Sequence, residues 1–198
     1  APRPVLGLAD ARAVAGACAA RHTLALTDGG HVYAWGSHTF GALGLGLEMS
    51  EEQPAPRLVA DLPAVTAVAC GAYHSAALAA DGSLYTWGWS RHGQLGHGAE
   101  GAHAFTPRPV EALEGVRVAE VCCGAQHMLA QAADGALYSW GCGAAGQLGA
   151  GDTAHRRVPM ALPARLFAGA AVVHMAAADT SSAAVCAGGR VYRWGTLA

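Results

Sequence analysis

Histidines and cysteines carry most of the chemical potential of this chain, and six of them keep step with tryptophans. His22, His74 and His127 each precede a Trp by 13 residues, and Cys18, Cys70 and Cys123 each precede the same Trp by 17. Imidazole is the usual general base near neutral pH, and a thiolate is a strong nucleophile. One active site has no use for three equivalent bases, and no Ser or Cys nucleophile is consistently paired with them. We therefore expect each His to be hydrogen-bonded within its own repeat. Each Cys should fill a small, buried, apolar position, which the fourth copy fills with Ala177.

The densest histidine group is His92, His97 and His103, in a Gly-rich loop around Gly93 and Gly101 with Glu100 as the only nearby carboxylate. Their spacing matches no zinc motif, so a solvated loop is expected. No Cys-x-x-Cys occurs. No Gly-x-x-x-x-Gly-Lys occurs either, and the chain has no Lys at all, which excludes a phosphate-loop lysine and a lysine Schiff base. No catalytic, cofactor-binding or metal residue is expected. The residues that break the repeat are the better candidates. Phe40, Trp89, Arg91 and His92 lie in loops that differ between copies, and Trp89 is the one Trp outside the repeat. Phe, Trp and Arg are types that dominate protein contacts. Phe40, Trp89 and Arg91 should share one surface; the alternative is that Phe40 and Trp89 only seal a rim.

The elements that must position these residues are read from four copies of Tyr-x-Trp-Gly. Trp35, Trp87, Trp140 and Trp194 are 52, 53 and 54 residues apart, a spacing that signals a propeller or a solenoid. Each unit has a Pro- and Arg-containing opening such as Pro54-Ala55-Pro56-Arg57, which reads as a loop or an edge because Pro lacks a backbone donor. An apolar strand follows, as in 65–70 or 116–123, then a bend at Gly71-Ala72-Tyr73-His74 and a second strand from His74. Asp81-Gly82 and Asp134-Gly135 turn that strand into the Tyr-x-Trp strand. Alternation puts Tyr85 and Trp87 on one face, with Leu84 and Thr86 opposite, as suits sheets stacked face to face. Gly93-Gln94-Leu95-Gly96 closes the unit and recurs near 41–44 and 146–149.

Repeat cores fall at about 14–47, 65–98, 116–151 and 172–198. The fourth deviates: Ser181 replaces the His, Gly188-Gly189 replaces Asp-Gly, and a longer linker predicts a reshaped loop near 163–174. Both ends of the sequence fall within a unit, as expected of a window cut from a longer chain.

Composition narrows the classes further. Hydrophobic residues make up 53% and charged residues 13%, too apolar for disorder. No apolar run reaches the ~18 residues of a membrane span. Net charge is −2 with no basic cluster beyond Arg156-Arg157, which argues against direct nucleic-acid binding. Lys, Ile and Asn are all absent, as in a GC-rich genome, and without Asn there is no N-glycosylation acceptor. Free thiols on the repeat favour a reducing, intracellular compartment, cytoplasmic or nuclear.

Gly-Ala-Tyr-His-Ser at 71–75, Asp81-Gly82, Tyr-Thr-Trp-Gly at 85–88 and Gly-Gln-Leu-Gly at 93–96 resemble the regulator-of-chromosome-condensation repeat. The resemblance covers nearly the whole chain. It implies an all-β fold: a partial arc of a seven-bladed β-propeller made of four-stranded antiparallel blades. It also implies protein partners. Members act as interaction platforms beside ubiquitin-ligase or kinase domains in the same chain, as nucleotide-exchange factors for small GTPases, or as ultraviolet-B receptors. The light-sensing tryptophans of the last group correspond to Ala20, Ala72 and Ala125, so that activity is not expected of this segment. The expected function is a non-catalytic interaction module without a cofactor, with GTPase regulation as the alternative.

Overall fold

The computed structural model describes residues 4–8, 11–47, 52–98 and 103–196. Its strands form four antiparallel sheets that follow one another along the chain. The first blade is β1 (Ala13–Cys18), β2 (His22–Thr27), β3 (Val32–Ser37) and β4 (Glu52–Leu58). The second is β5 (Val65–Cys70), β6 (His74–Ala79), β7 (Leu84–Gly88) and β8 (Ala104–Pro109). The third is β9 (Val118–Cys123), β10 (His127–Ala132), β11 (Leu137–Gly141) and β12 (Arg156–Leu162). The fourth has three strands among the described residues: β13 (Val172–Ala177), β14 (Ser181–Cys186) and β15 (Val191–Gly195).

Each strand has a local cause. Asp81 Oδ1 accepts the Ser83 N–H at 2.8 Å and Gly82 takes φ +93°, which together build the tight turn between β6 and β7. Asp134 does the same for Ala136 at 3.0 Å. The Pro-containing segments are the outermost strands β4, β8 and β12, where a missing donor faces no further strand. They therefore close the preceding blade and do not open the next. The long linker into the fourth blade holds a 3-10 turn, Ala164–Phe167, whose Phe167 is buried edge-on against Tyr192 and Trp194.

Three apolar clusters fill the three seams between blades. Trp87 and Tyr85 face the first blade, against Leu24, Leu26, Val32 and Leu43. Leu84, on the opposite face of the same strand, packs with Trp140 and Tyr138 of the third blade. The period-2 alternation of the Tyr-x-Trp strand thus sorts its side chains into two different seams. Position in the arc sets the burial. β6 and β10, covered on both faces, are buried at every residue, whereas β14 alternates buried with half-buried. Trp87 and Trp140 are fully buried, while Trp35 and Trp194, in the two outer blades, are half-buried. No helix among the described residues is long and apolar enough to cross a membrane.

Candidate functional site

Two layers of polar and aromatic residues cross the seams near the bend that precedes each second strand. The deeper layer is part of the lattice. Ser75 Oγ donates to Ala42 O at 2.8 Å, and the Trp87 indole N–H donates to the same carbonyl at 3.0 Å. The one hydroxyl proton is spent there, so His22 Nε2–H is the donor in its 2.9 Å bond to Ser75 Oγ. His127, Ser182, Gln147 O and Trp194 repeat the arrangement, with His127 Nε2 2.8 Å from Ser182 Oγ. These bonds join neighbouring blades, which corrects the expectation of a histidine bonded within its own repeat. The reason is geometric: the His side chain leaves the face of its blade and meets the second residue of the next blade's second strand, Ser75 in β6 and Ser182 in β14.

At the middle seam that residue is Met128. Trp140 still donates to Gln94 O at 3.0 Å, but both ring nitrogens of the fully buried His74 lack a partner. Burial holds all three imidazoles neutral, with pKa values of about 4 for His22 and His127 and about 3 for His74, which His22 and His127 depress further. None of them titrates near neutrality. The six cysteines are free thiols. Burial pushes Cys70 and Cys122 up to about 12, and Cys123 well above its ordinary value, so these thiols stay protonated and unreactive. Cys18 corrects the expectation of a buried position. It lies exposed on β1, the inner strand of the first blade, whose second face has no neighbouring blade among the described residues.

The outer layer is built by the loops after each Trp-Gly. Gly88 has φ +103°, and a Cβ there would meet Tyr73 O at 2.5 Å, so only glycine lets the chain turn this close to the bend. The Trp89 N–H then bonds Tyr73 O at 2.9 Å, fixing loop and bend at the same end of the blade. At the first seam Phe40 reaches across to the second blade. Its ring stacks on Trp89 (centroids 5.9 Å apart), meets Tyr73 edge-on at 5.7 Å and lies 5.2 Å from His103. Trp89 in turn contacts His92 at 5.6 Å, and His92 lies 4.6 Å from His155 of the third blade. The result is a stripe of rings running His103, Phe40, Trp89, His92, His155 across three blades. Phe40 is 40% exposed and sits in the left-handed region at φ 58°. Arg91 is exposed beside the stripe.

The three loop histidines do not form one group. His97 Nε2 bonds Thr86 Oγ1 at 2.9 Å, and burial lowers its pKa to about 4. His103 Nδ1 accepts the Ser90 N–H at 3.3 Å. His92 instead faces Cys142 and His155, and the ligating atoms of these three residues all lie within 4.8 Å of one another. Glu100 and Gly101 lie outside the described residues. Tyr73, Cys142 and His155 did not stand out in the sequence. Numbering from each Trp would have found Cys142: the residue five after one Trp meets the residue two after the next, which pairs Phe40 with Trp89 and His92 with Cys142.

Four radial, antiparallel sheets joined through Trp-capping loops define an open arc of a β-propeller. The RCC1-like domain model matches residues 1–198, and the chain belongs to that family. It is 39% identical over 179 residues to the ultraviolet-B receptor UVR8 of Arabidopsis thaliana, covering 89% of this chain and 40% of the receptor. It is 34% identical over 200 residues to the human probable E3 ubiquitin-protein ligase HERC6, covering 98% of this chain and 19% of the ligase. Among solved structures, yeast RCC1 (Prp20), crystallised with Kap60, superposes with a TM-score of 0.82 at 26% identity, over 96% of this chain and 45% of that one. The chain thus spans less than half the length of these relatives.

Proposed function

We propose that this arc is a non-enzymatic protein-docking module, and that the loop surface carrying Phe40, Trp89, Arg91 and His92 is where the partner binds. The observation that supports it is the ring stripe. A half-exposed Trp, an exposed Arg and a 40%-exposed Phe held in a disfavoured conformation stand together at one end of the blades. Sealing the seam alone would favour full burial of Phe40 and would not require left-handed backbone. Aromatic anchors with an adjacent Arg are the composition of binding hot spots. Among the family's partner classes, a small GTPase or a ligase or kinase domain in the same chain would use such a surface. An intracellular setting suits the free thiols.

The test compares proteins retained by the full chain with those retained by Trp89→Ala/Arg91→Ala. A control, Asp134→Ala, alters the opposite, hairpin end. Partners lost only from the loop variant support the surface; an unchanged set overturns it. Regulation of a GTPase is the second reading, favoured by the 0.82 superposition on yeast RCC1. Accelerated nucleotide release from a small GTPase on adding the chain would replace the pure docking reading.

A further inference from the structure

The second seam holds chemistry that the docking surface does not need. Cys142 is buried, directly after β11; His155 directly precedes β12; His92 reaches over from the loop of the second blade. We propose that His92, Cys142 and His155 form a transition-metal site for a zinc-class divalent cation, with three protein ligands and a fourth position open to water. One thiolate and two imidazoles are a borderline-soft donor set that suits Zn²⁺ and Co²⁺, and poorly suits Mg²⁺ or Ca²⁺, which take oxygen ligands.

The geometry is close to what a tetrahedral ion needs. Metal–nitrogen and metal–sulfur bonds of roughly 2.0–2.3 Å place neighbouring donor atoms about 3.3–3.6 Å apart. The present separations, all within 4.8 Å, require an inward movement of about 1 Å. That movement falls to the two histidines, one half-buried and one exposed, while buried Cys142 stays anchored. The chain is shaped for the approach at Gly143, where a Cβ would lie 2.0 Å from Ala154 O; no other residue lets 142 and 155 come so near.

Two features work against the site, and magnitudes decide between them. The Gly143 N–H donates to His155 Nδ1 at 3.1 Å, so ligation by His155 means turning the ring or giving up that bond. Arg91 places a positive charge beside His92. A lost hydrogen bond changes affinity about tenfold, and one exposed charge by a similar factor. Structural zinc sites with four thiolate and imidazole ligands exceed that by many powers of ten, which leaves a margin for both losses at a site with three. Arg156, next to His155, is already paired with Asp152 at 2.7 Å. Binding exchanges the Cys142 thiol proton for the metal and releases it to solvent.

The corresponding positions of the first seam show why the trio is not a lattice property. There the residues are Phe40, Trp89 and His103, of which only the histidine can ligate. Both other positions change to ligating types at the same seam. A bound ion would fasten the second blade's loop to the third blade and fix His92 within the ring stripe.

The experiment uses the full chain, reduced with a non-chelating phosphine, and Co²⁺ as the probe. One equivalent of Co²⁺ should give thiolate-to-cobalt charge-transfer absorption that Zn²⁺ abolishes. C142S should lose the band, H92A and H155A should each bind at least tenfold more weakly, and C18S should match the wild type. Should C142S fail to fold, the two histidine variants, at partly exposed positions, carry the test with the same titration. No charge-transfer band in the wild type, or a band unchanged by C142S or by both histidine substitutions, overturns the site.

Discussion

The first and second seams are built on the same lattice and differ in both layers. At the first, His22 is bridged to Ser75 below, and Phe40, Trp89 and Tyr73 form an aromatic rim above. At the second, Met128 leaves His74 without a partner below, and the rim holds His92, Cys142 and His155. The blade-to-blade skeleton is constant: an indole N–H donates to a carbonyl of the preceding blade's closing loop in each seam. Structure is therefore carried by the Trp and glycine positions, and the polar residues around them are free to vary. Polar variation between seams is where separate chemistries can arise.

Acidification probes both lower layers at once and should have the largest effect. Each histidine has a folded pKa far below its unfolded value near 6.5, so the unfolded chain binds more protons in between. Stability is complete above pH 6.5 and falls as pH drops, until about 4 for His22 and His127 and about 3 for His74. Each group costs on the order of 2 kcal/mol by pH 5. Urea unfolding at pH 7, 6 and 5 measures the slope. His74→Leu should remove one histidine's share of it while leaving stability at pH 7 little changed, because no hydrogen bond is lost. A wild-type stability independent of pH would show that these rings are hydrated in the folded chain.

Tryptophan truncation should treat the two seams alike. Trp87→Ala and Trp140→Ala should each cost about 3–5 kcal/mol, since both indoles are fully buried and both bond a carbonyl across the seam. Trp35→Ala should cost clearly less, because Trp35 is half-buried. Thermal or urea unfolding of the three variants checks the order. Equal losses for all three would mean that the open face of the first blade is covered in solution.

Most of this skeleton could be read from the chain itself. The Trp spacing, the Asp-Gly turns and the alternation of Tyr85 and Trp87 against Leu84 are local signals, and the hairpins follow from them. What could not be read is which residue meets which across a seam. His22 and Ser75 are 53 residues apart, and His127 and Ser182 are 55 apart; their meeting depends on how far each blade rotates from the last. The same gap hid the metal-type trio, because His92, Cys142 and His155 share no local motif. It also grouped His92 with His97 and His103, which chain proximity suggests and the fold separates. Cys18 was misplaced for a related reason: a repeat position tells what its average environment is, and an outer blade lacks half of that environment.

Met128 allows a sharper test of the lower layer, with a smaller expected effect. In a buried position Ser is ordinarily no better than Ala, because its hydroxyl must be desolvated. At 128, however, a Ser would repeat Ser75 and Ser182, donating to Gln94 O and accepting from His74. Met128→Ala should cost about 2–5 kcal/mol for the lost burial. Met128→Ser should be more stable than Met128→Ala by about 1 kcal/mol, the worth of the restored bond. The opposite order, measured by urea unfolding, would show that the seams differ in spacing as well as in residue type.

Phe40 makes the finest distinction, at the rim of the first seam. Its backbone lies at φ 58°, where a Cβ costs about 1–2 kcal/mol and glycine pays nothing. Phe40→Gly and Phe40→Ala both delete the ring, so they lose the same contacts with Trp89, Tyr73 and His103. They differ in backbone strain, which favours the glycine variant, and in the extra freedom of glycine in the unfolded chain, which opposes it by about 0.4–1 kcal/mol. The glycine variant should therefore be the more stable, by up to about 1.6 kcal/mol. If the alanine variant is instead the more stable, by about 0.4–1 kcal/mol, the left-handed turn is held by the ring contacts and relaxes once they are gone. In that case the strain is a consequence of docking Phe40 onto Trp89, and the aromatic rim, unlike the ligating one, shapes its own backbone.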